Sequence, residues 1–130
     1  MMKQKKIMIA DDDPGIVDAV EMLLEFEGYK VTSTLDGAAV LNLKDDLPDL
    51  LLLDIWMSGE DGREICRQLK SRDETRNMPV LMISASRGIK ESAFAAGADD
   101  FLAKPFEMND LLQKIEALTG NSTLSTNLAV

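Results

Sequence analysis

The sequence contains no histidine and a single cysteine, Cys66. Without histidine, the chain cannot build a Ser-His or Cys-His catalytic pair, nor can it carry a phosphohistidine itself. One cysteine cannot form an internal disulfide, and the two shortages together exclude a four-ligand zinc site of cysteine and histidine. Any chemistry must therefore come from carboxylates, hydroxyl groups, lysines or a bound metal ion.

Basic residues are also scarce, with 14 Lys and Arg against 23 Asp and Glu and a net charge of −9. Direct binding to nucleic acid or to an anionic membrane needs a basic surface, so we expect neither partner.

Long apolar runs are missing near the start, because the run Ile7–Ala10 stops at Asp11. A secretory signal needs roughly 7–15 apolar residues and a membrane helix about 20. The sequence therefore predicts a cytoplasmic protein.

The chain has 130 residues and is 45% hydrophobic, which suits one globular domain. Short strand-like runs alternate with helical patterns along most of its length. The predicted strands are Lys6–Ala10, Lys30–Thr34, Asp49–Leu53, Val80–Ser84 and Asp100–Ala103. The third and fourth runs are apolar on both faces, which is typical of strands buried between two helical layers. The second run is more polar, which indicates a sheet edge.

Five helical patterns lie between and after these strands. The first begins at Pro14 with Asp13 as its cap, and the second begins after Asp36 and carries Val40, Leu41 and Leu43. The others begin near Gly62, Ile89 and Met108. This alternation predicts an α/β fold, a doubly wound five-stranded parallel sheet in the flavodoxin-like order 2-1-3-4-5 with five helices. We expect one domain over residues 1–120 and a flexible C-terminal tail over residues 121–130.

Polar residues follow the strands where the carboxyl ends of a parallel sheet form the ligand-binding rim. Asp11 and Asp12 follow the first strand, Asp54 the third and Lys104 the fifth, while Ser84 ends the fourth. Each alone has an ordinary explanation as a turn, a strand-end backbone partner or a solvated surface group. Together they place carboxylates where mutual repulsion requires a cation, and Mg²⁺ prefers such oxygen ligands. No glycine-rich phosphate loop follows the first strand, which argues against nucleotide binding.

Five short motifs occur in an order that resembles the receiver domain of two-component response regulators. They are Ile7–Pro14, Leu53–Met57 followed by Asp61-Gly62, Ile83–Ala85, Gly97–Phe101 and Lys104–Phe106. The resemblance extends over about residues 5–119. It implies that Asp54 accepts a phosphoryl group, and that Asp11, Asp12, Asp54 and the main-chain carbonyl of Trp56 hold Mg²⁺.

The resemblance also assigns roles to the remaining rim residues. Ser84 and Lys104 would contact the phosphoryl oxygens, Ser84 and Phe101 would act as switch residues, and Pro105 would follow a cis peptide bond. Two positions depart from the usual family pattern. Ser58 stands where the family usually has proline, and Phe101 where it often has tyrosine.

The same resemblance implies a regulatory domain that catalyses only its own phosphorylation and dephosphorylation. The expected donor is a sensor histidine kinase or a histidine phosphotransfer protein. The expected target binds, after phosphorylation, to the face formed by the fourth helix, fifth strand and fifth helix. On that fifth helix Lys114 lies beside Gln113 and Glu116, which does not favour a stable dimer. The domain would be a stand-alone regulator or part of a larger protein.

Two other functions stay open at this level. A receiver-like scaffold could bind partners without being phosphorylated, although all five functional groups are present here. A haloacid-dehalogenase-like phosphatase would use Asp11 and Asp13 as its nucleophile and acid. Against the phosphatase, Gly15 occupies the fifth position of that motif and Lys104 follows the acidic pair Asp99-Asp100, whereas that family has its lysine first.

Overall fold

The five predicted strands form one parallel sheet in the computed structural model, which describes residues 4–57 and 59–120. The strands are β1 (Lys6–Ala10), β2 (Lys30–Thr34), β3 (Leu50–Asp54), β4 (Val80–Ser84) and β5 (Asp100–Ala103). Their order is β2-β1-β3-β4-β5, with β2 at an edge. The predicted fold class and strand order are confirmed. The predicted tail, residues 121–130, lies outside the described residues.

Five helices connect or follow these strands. They are α1 (Pro14–Phe26), α2 (Gly37–Leu41), α3 (Gly62–Ser71), α4 (Lys90–Ala95) and α5 (Met108–Thr119). The carboxylate of Asp13 accepts hydrogen bonds from the N–H groups of Gly15 and Ile16, so Asp13 caps α1 as predicted. Gly120 caps the end of helix α5, and its φ of 72° suits glycine. Within the described residues, no helix is both long and apolar enough to span a membrane.

Two predicted boundaries were wrong. Strand β3 runs from Leu50 to Asp54, one residue later than expected, so Asp54 ends the strand rather than following it. Helix α2 ends at Leu41, and Leu43 lies outside it. The guanidinium of Arg72 donates a hydrogen bond to the Leu41 carbonyl, which satisfies that end of the short helix from another part of the chain.

The core lies in two layers, one on each face of the sheet. Successive residues of β3 point to opposite faces, so Leu50 and Leu52 pack in the layer of α1 and α5. Leu51 and Leu53 pack in the opposite layer with α2, α3 and α4. All four leucines are at most 1% exposed. This double coverage explains why the strand is apolar throughout, and it leaves the ends of the strands as the place for polar groups.

Candidate phosphoryl-acceptor and metal site

The carboxyl ends of β1 and β3 bring the predicted acidic residues together. Ala10 of β1 pairs with Leu53 of β3, so Asp11 and Asp54 follow on neighbouring strands. The carboxylate oxygens of Asp11, Asp12 and Asp54 lie within 4.8 Å of one another. Asp11 and Asp54 are 2% and 6% exposed, whereas Asp12 is open to solvent. The site therefore has two buried carboxylates and one at the surface.

Burial raises the pKa of Asp54 to about 6. The nearby carboxylates of Asp11 and Asp12 contribute to this rise, while the Lys104 ammonium and a hydrogen bond from the Trp56 backbone N–H partly offset it. The raised pKa means that a negative charge on Asp54 is costly in the free protein. A cation bound among these carboxylates would remove that cost.

Lys104 follows β5 and reaches across the rim to the acidic residues. Its Nζ lies 2.9 Å from Asp11 Oδ2 and 3.7 Å from Asp54 Oδ1. The backbone N–H of Lys104 donates to the Ser84 carbonyl at 2.8 Å, which extends the pairing of β4 with β5 to the site. The Lys104–Pro105 peptide bond is cis. One ammonium thus interacts with two of the three carboxylates.

Ser84 and Phe101 lie on neighbouring strands next to Lys104. Ser84 is fully buried at the end of β4, and its Oγ accepts a hydrogen bond from the Ser86 N–H at 3.1 Å. Its hydroxyl proton is still able to donate to a ligand oxygen. Phe101 of β5 is 6% exposed and packs in the core layer of α2, α3 and α4. Its ring points inward in this structure.

Trp56 lies in a short antiparallel ribbon that the sequence did not predict. The ribbon pairs Trp56–Met57 with Glu60–Asp61, and Gly59 between them has a φ of 83°. Met57 is fully buried, whereas Trp56 is 54% exposed. Strands of two residues are too short to show an alternating pattern, so no sequence signal predicts this ribbon.

Gly62 packs directly against the end of β3. A Cβ atom at this position would overlap the backbone carbonyl oxygen of Asp54 and lie 2.9 Å from the Cα of Ile55. The N–H of Gly62 donates to the Ile55 carbonyl. The structure therefore explains the Asp61-Gly62 motif. Asp61 caps α3, and Gly62 lets α3 begin close behind Asp54.

One residue that the sequence analysis did not single out contacts the ribbon. The guanidinium of Arg63 forms two hydrogen bonds with the Asp61 carboxylate and lies over the Trp56 ring, 5.1 Å from its centroid. A lone arginine on a helix gives no local pattern, so only the fold reveals this contact.

The donor set fits a small divalent cation. Three carboxylates with mutually close oxygens are the hard oxygen ligands that Mg²⁺ prefers. The partly solvated Asp12 side suits an ion that keeps several water molecules. A carboxylate nucleophile beside a cation, an ammonium and a hydroxyl can bind and neutralise a phosphoryl group.

Comparison with known proteins gives consistent matches. RpaA, a DNA-binding dual master transcriptional regulator from Synechocystis sp., is 40% identical over 116 residues, which cover 87% of this chain and 48% of that protein. The chain spans about half the length of the curated relatives it matches.

Two solved structures share the fold. The receiver domain of sensor histidine kinase PA1611 from Pseudomonas aeruginosa, with a magnesium ion in its active-site cleft, has a TM-score of 0.82 and 26% identity, covering 92% of this chain and 100% of that one. The response regulator TrrA from Thermotoga maritima, in complex with Mg²⁺ and BeF, has a TM-score of 0.79 and 26% identity, covering 88% and 99%. The family model of the response regulator receiver domain matches residues 7–116 of this chain. The chain therefore belongs to the receiver domain family of two-component response regulators.

Proposed function

We propose that the chain accepts a phosphoryl group on Asp54 in a Mg²⁺-dependent reaction and thereby changes how it binds a partner. The observation that carries the proposal is the cluster of Asp11, Asp12 and Asp54 oxygens within 4.8 Å, with Lys104 between two of them. The expected donor is a sensor histidine kinase or a histidine phosphotransfer protein, since the relatives are response regulators. Mg²⁺, when bound, neutralises charge on the phosphoryl oxygens.

Phosphoryl transfer uses the ionised carboxylate of Asp54. One of its oxygens attacks phosphorus in line, a P–O bond forms, and the P–N bond to the donor histidine breaks, leaving the neutral imidazole after protonation. Asp11, Asp12, Asp54 and the Trp56 carbonyl would hold the ion. Lys104 turns from Asp11 toward a phosphoryl oxygen, and the Ser84 hydroxyl donates to another. Hydrolysis returns the carboxylate when water attacks phosphorus and the P–O bond to Asp54 breaks.

The phosphatase alternative has little support in this geometry. Its second carboxylate would be Asp13, whose Oδ1 accepts hydrogen bonds from the N–H groups of Gly15 and Ile16 at 3.0 and 3.4 Å. Its nucleophile would be Asp11, which is paired with Lys104. By contrast, Asp54 ends β3 and its carboxylate lies farther from the Lys104 ammonium, at 3.7 Å.

Phosphate incorporation from acetyl phosphate and Mg²⁺ tests the proposal. We expect Asp54→Asn to abolish acid-labile phosphate, because an amide is a poor nucleophile and a poor ligand. Asp73→Asn is the matched control, since Asp73 is an exposed carboxylate paired with Arg76. Undiminished incorporation in Asp54→Asn would refute the assignment of the acceptor. No incorporation by the wild-type chain would leave the phosphorylation-independent scaffold as the function.

The target surface is the face of α4, β5 and α5. This face is connected to the candidate site through the chain, because β5 ends one residue before Lys104. Phe94 of α4 is 40% exposed, and Lys114 of α5 pairs with Asp100 of β5 at 3.0 Å. A displacement of Lys104 toward a phosphoryl group would therefore be transmitted to this face through the backbone of β5.

A further inference from the structure

Arg63 lies in the first turn of α3 and contacts three other residues, two in the ribbon and one on α4. Its Nε and Nη2 donate to the two carboxylate oxygens of Asp61 at 2.9 and 2.7 Å. Its Nη1 donates to the Ser92 Oγ on α4 at 3.0 Å, and its Cζ lies 5.1 Å from the centroid of the Trp56 ring. The side chain of Arg63 is 22% exposed. One side chain thus connects the ribbon, α3 and α4.

These contacts hold both strands of the ribbon. Trp56 pairs with Asp61 across the ribbon, so Arg63 interacts with the two members of one cross-strand pair. The hydrogen bond from Arg63 lowers the pKa of Asp61, so this pair stays charged at neutral pH. Ser92 Oγ itself donates to the Ile89 carbonyl at 2.8 Å, which orients its lone pairs toward Arg63. The position of the guanidinium is therefore fixed from α3 and from α4.

Trp56 connects this arrangement to the metal site. Its backbone N–H donates to the Asp54 carboxylate, and its carbonyl is the expected main-chain ligand of Mg²⁺. Among the described residues, the ribbon has one cross-strand pair besides that of Trp56, namely Met57 with Glu60. A ribbon this short gains little stability from its own pairing, so contacts from outside decide how well its backbone is fixed.

We propose that Arg63 is a positioning residue of the magnesium site, holding the ribbon so that the Trp56 carbonyl is in place before the ion binds. The inference rests on the metal site of the proposed function. Its energetic basis is preorganisation, since a ligand that is already ordered costs less to use.

The geometry calls for arginine rather than lysine. A guanidinium is planar, donates in a fixed fork to a carboxylate and at the same time stacks on an aromatic ring. Lysine carries the same charge but cannot make the fork and the stack together. Arg63→Lys therefore removes the positioning while it leaves the electrostatic field at the site almost unchanged.

The positive charge of Arg63, taken alone, predicts the opposite effect on Mg²⁺ affinity. Loss of a positive group near the cluster would tighten the binding of a cation, whereas loss of positioning weakens it. Because Arg63→Lys keeps the charge, any weakening of Mg²⁺ binding in this variant comes from geometry.

Isothermal titration with Mg²⁺ on the full chain tests the inference, together with acrylamide quenching of Trp56, the only tryptophan. We expect Arg63→Lys to raise the Kd for Mg²⁺ about two- to fivefold, the size expected of a partly exposed cation–π contact, and to increase quenching. Ser92→Ala should change both quantities in the same direction but less. Arg67→Lys is the control, since Arg67 lies on the same helix and pairs only with the exposed Glu64 among its described contacts.

The outcomes separate this inference from the function on which it rests. Equal Kd values for the wild-type chain and Arg63→Lys, both folded by circular dichroism, would overturn the role of Arg63 and leave the metal site intact. If neither the wild-type chain nor Arg63→Lys bound Mg²⁺, the metal site itself would be overturned, and the role of Arg63 with it. Weakening in Arg67→Lys equal to that in Arg63→Lys would also overturn the role, because the effect would not depend on the ribbon.

Discussion

The carboxyl group of Asp54 lies among two other carboxylates and one ammonium, and burial raises its pKa from 3.8 to about 6. The folded chain therefore holds the Asp54 proton more tightly than the unfolded chain does. The stabilisation that this proton contributes is complete below pH about 4 and is lost as the pH rises through about 6. At neutral pH, the metal-free protein thus contains a carboxylate whose charge opposes folding.

Replacement of this carboxylate by an amide should stabilise the metal-free protein. We expect Asp54→Asn to raise the free energy of unfolding at pH 7.5 by on the order of 1–3 kcal/mol, because the charge that opposes folding is gone. The gain should disappear near pH 4, where the wild-type carboxyl is protonated in the folded state. Urea unfolding in the presence of a chelator, at both pH values, measures the difference.

The exposed carboxylate variant Asp73→Asn is the control for this measurement, because surface ion pairs contribute little to stability. A variant Asp54→Asn that is less stable than the wild-type chain at pH 7.5 would contradict the raised pKa. A gain that is the same at both pH values would mean that packing, and not charge, is responsible.

At the scale of secondary structure elements, the start of α3 is tightly constrained by β3. We expect Gly62→Ala to destabilise the protein by about 1–3 kcal/mol, because the added methyl group overlaps backbone atoms of Asp54 and Ile55. Gly88→Ala is the matched control, since a Cβ there meets nothing within 4 Å. Thermal unfolding of the two variants checks this, and equal melting temperatures would contradict the close packing.

The strand β5 should carry the effect of phosphorylation away from the site. Beryllofluoride with Mg²⁺ mimics the phosphoryl group, and we expect it to change amide hydrogen exchange in β5 and α4 of the wild-type chain. In Lys104→Ala these changes should shrink severalfold, because the ammonium no longer links the bound group to β5. Changes of equal size in Lys104→Ala, at saturating beryllofluoride, would rule out this route.

The strands of the main sheet could be predicted because each is long enough to show which faces it buries. Leu50–Leu53 is apolar at every position, and the structure buries both faces. The ribbon at Trp56 could not be predicted, since its strands have two residues each. The end of α2 at Leu41 depends on Arg72, about thirty residues later, and a local pattern cannot contain such a contact.

The candidate site shows the same division between local and distant information. Asp11, Asp12, Asp54, Ser84 and Lys104 could be placed on one rim from the alternation of strands and helices alone. The pairing of Lys104 with Asp11 and the contacts of Arg63 depend on side-chain positions, so they required the structure. The functional roles of these residues remain predictions.

At the scale of the whole molecule, Mg²⁺ should stabilise an acidic protein by binding to its folded state. At a concentration about 100 times the Kd, the expected gain is about 2.7 kcal/mol, seen as a rise in melting temperature. The fluorescence of Trp56 should change saturably over the same range, since the ribbon becomes fixed. Both effects should be much smaller in Asp12→Ala, which lacks a ligand of the ion.

Sodium chloride at matched ionic strength is the control for both signals, because general screening of the net charge of −9 acts on the wild-type chain and on Asp12→Ala alike. A melting temperature that responds equally to sodium and magnesium would contradict a specific site. Equal responses of the two proteins to Mg²⁺ would exclude Asp12 from it.

Cys66 gives the molecule a property that is unrelated to the acidic site. The thiol lies on α3, is fully buried, and has its pKa raised by burial to about 11. A thiol reagent at neutral pH can therefore reach it only when local or global opening of the fold exposes α3. Since the chain has no second cysteine, the rate of labelling, followed by mass spectrometry, reports how often the packing around this one helix opens.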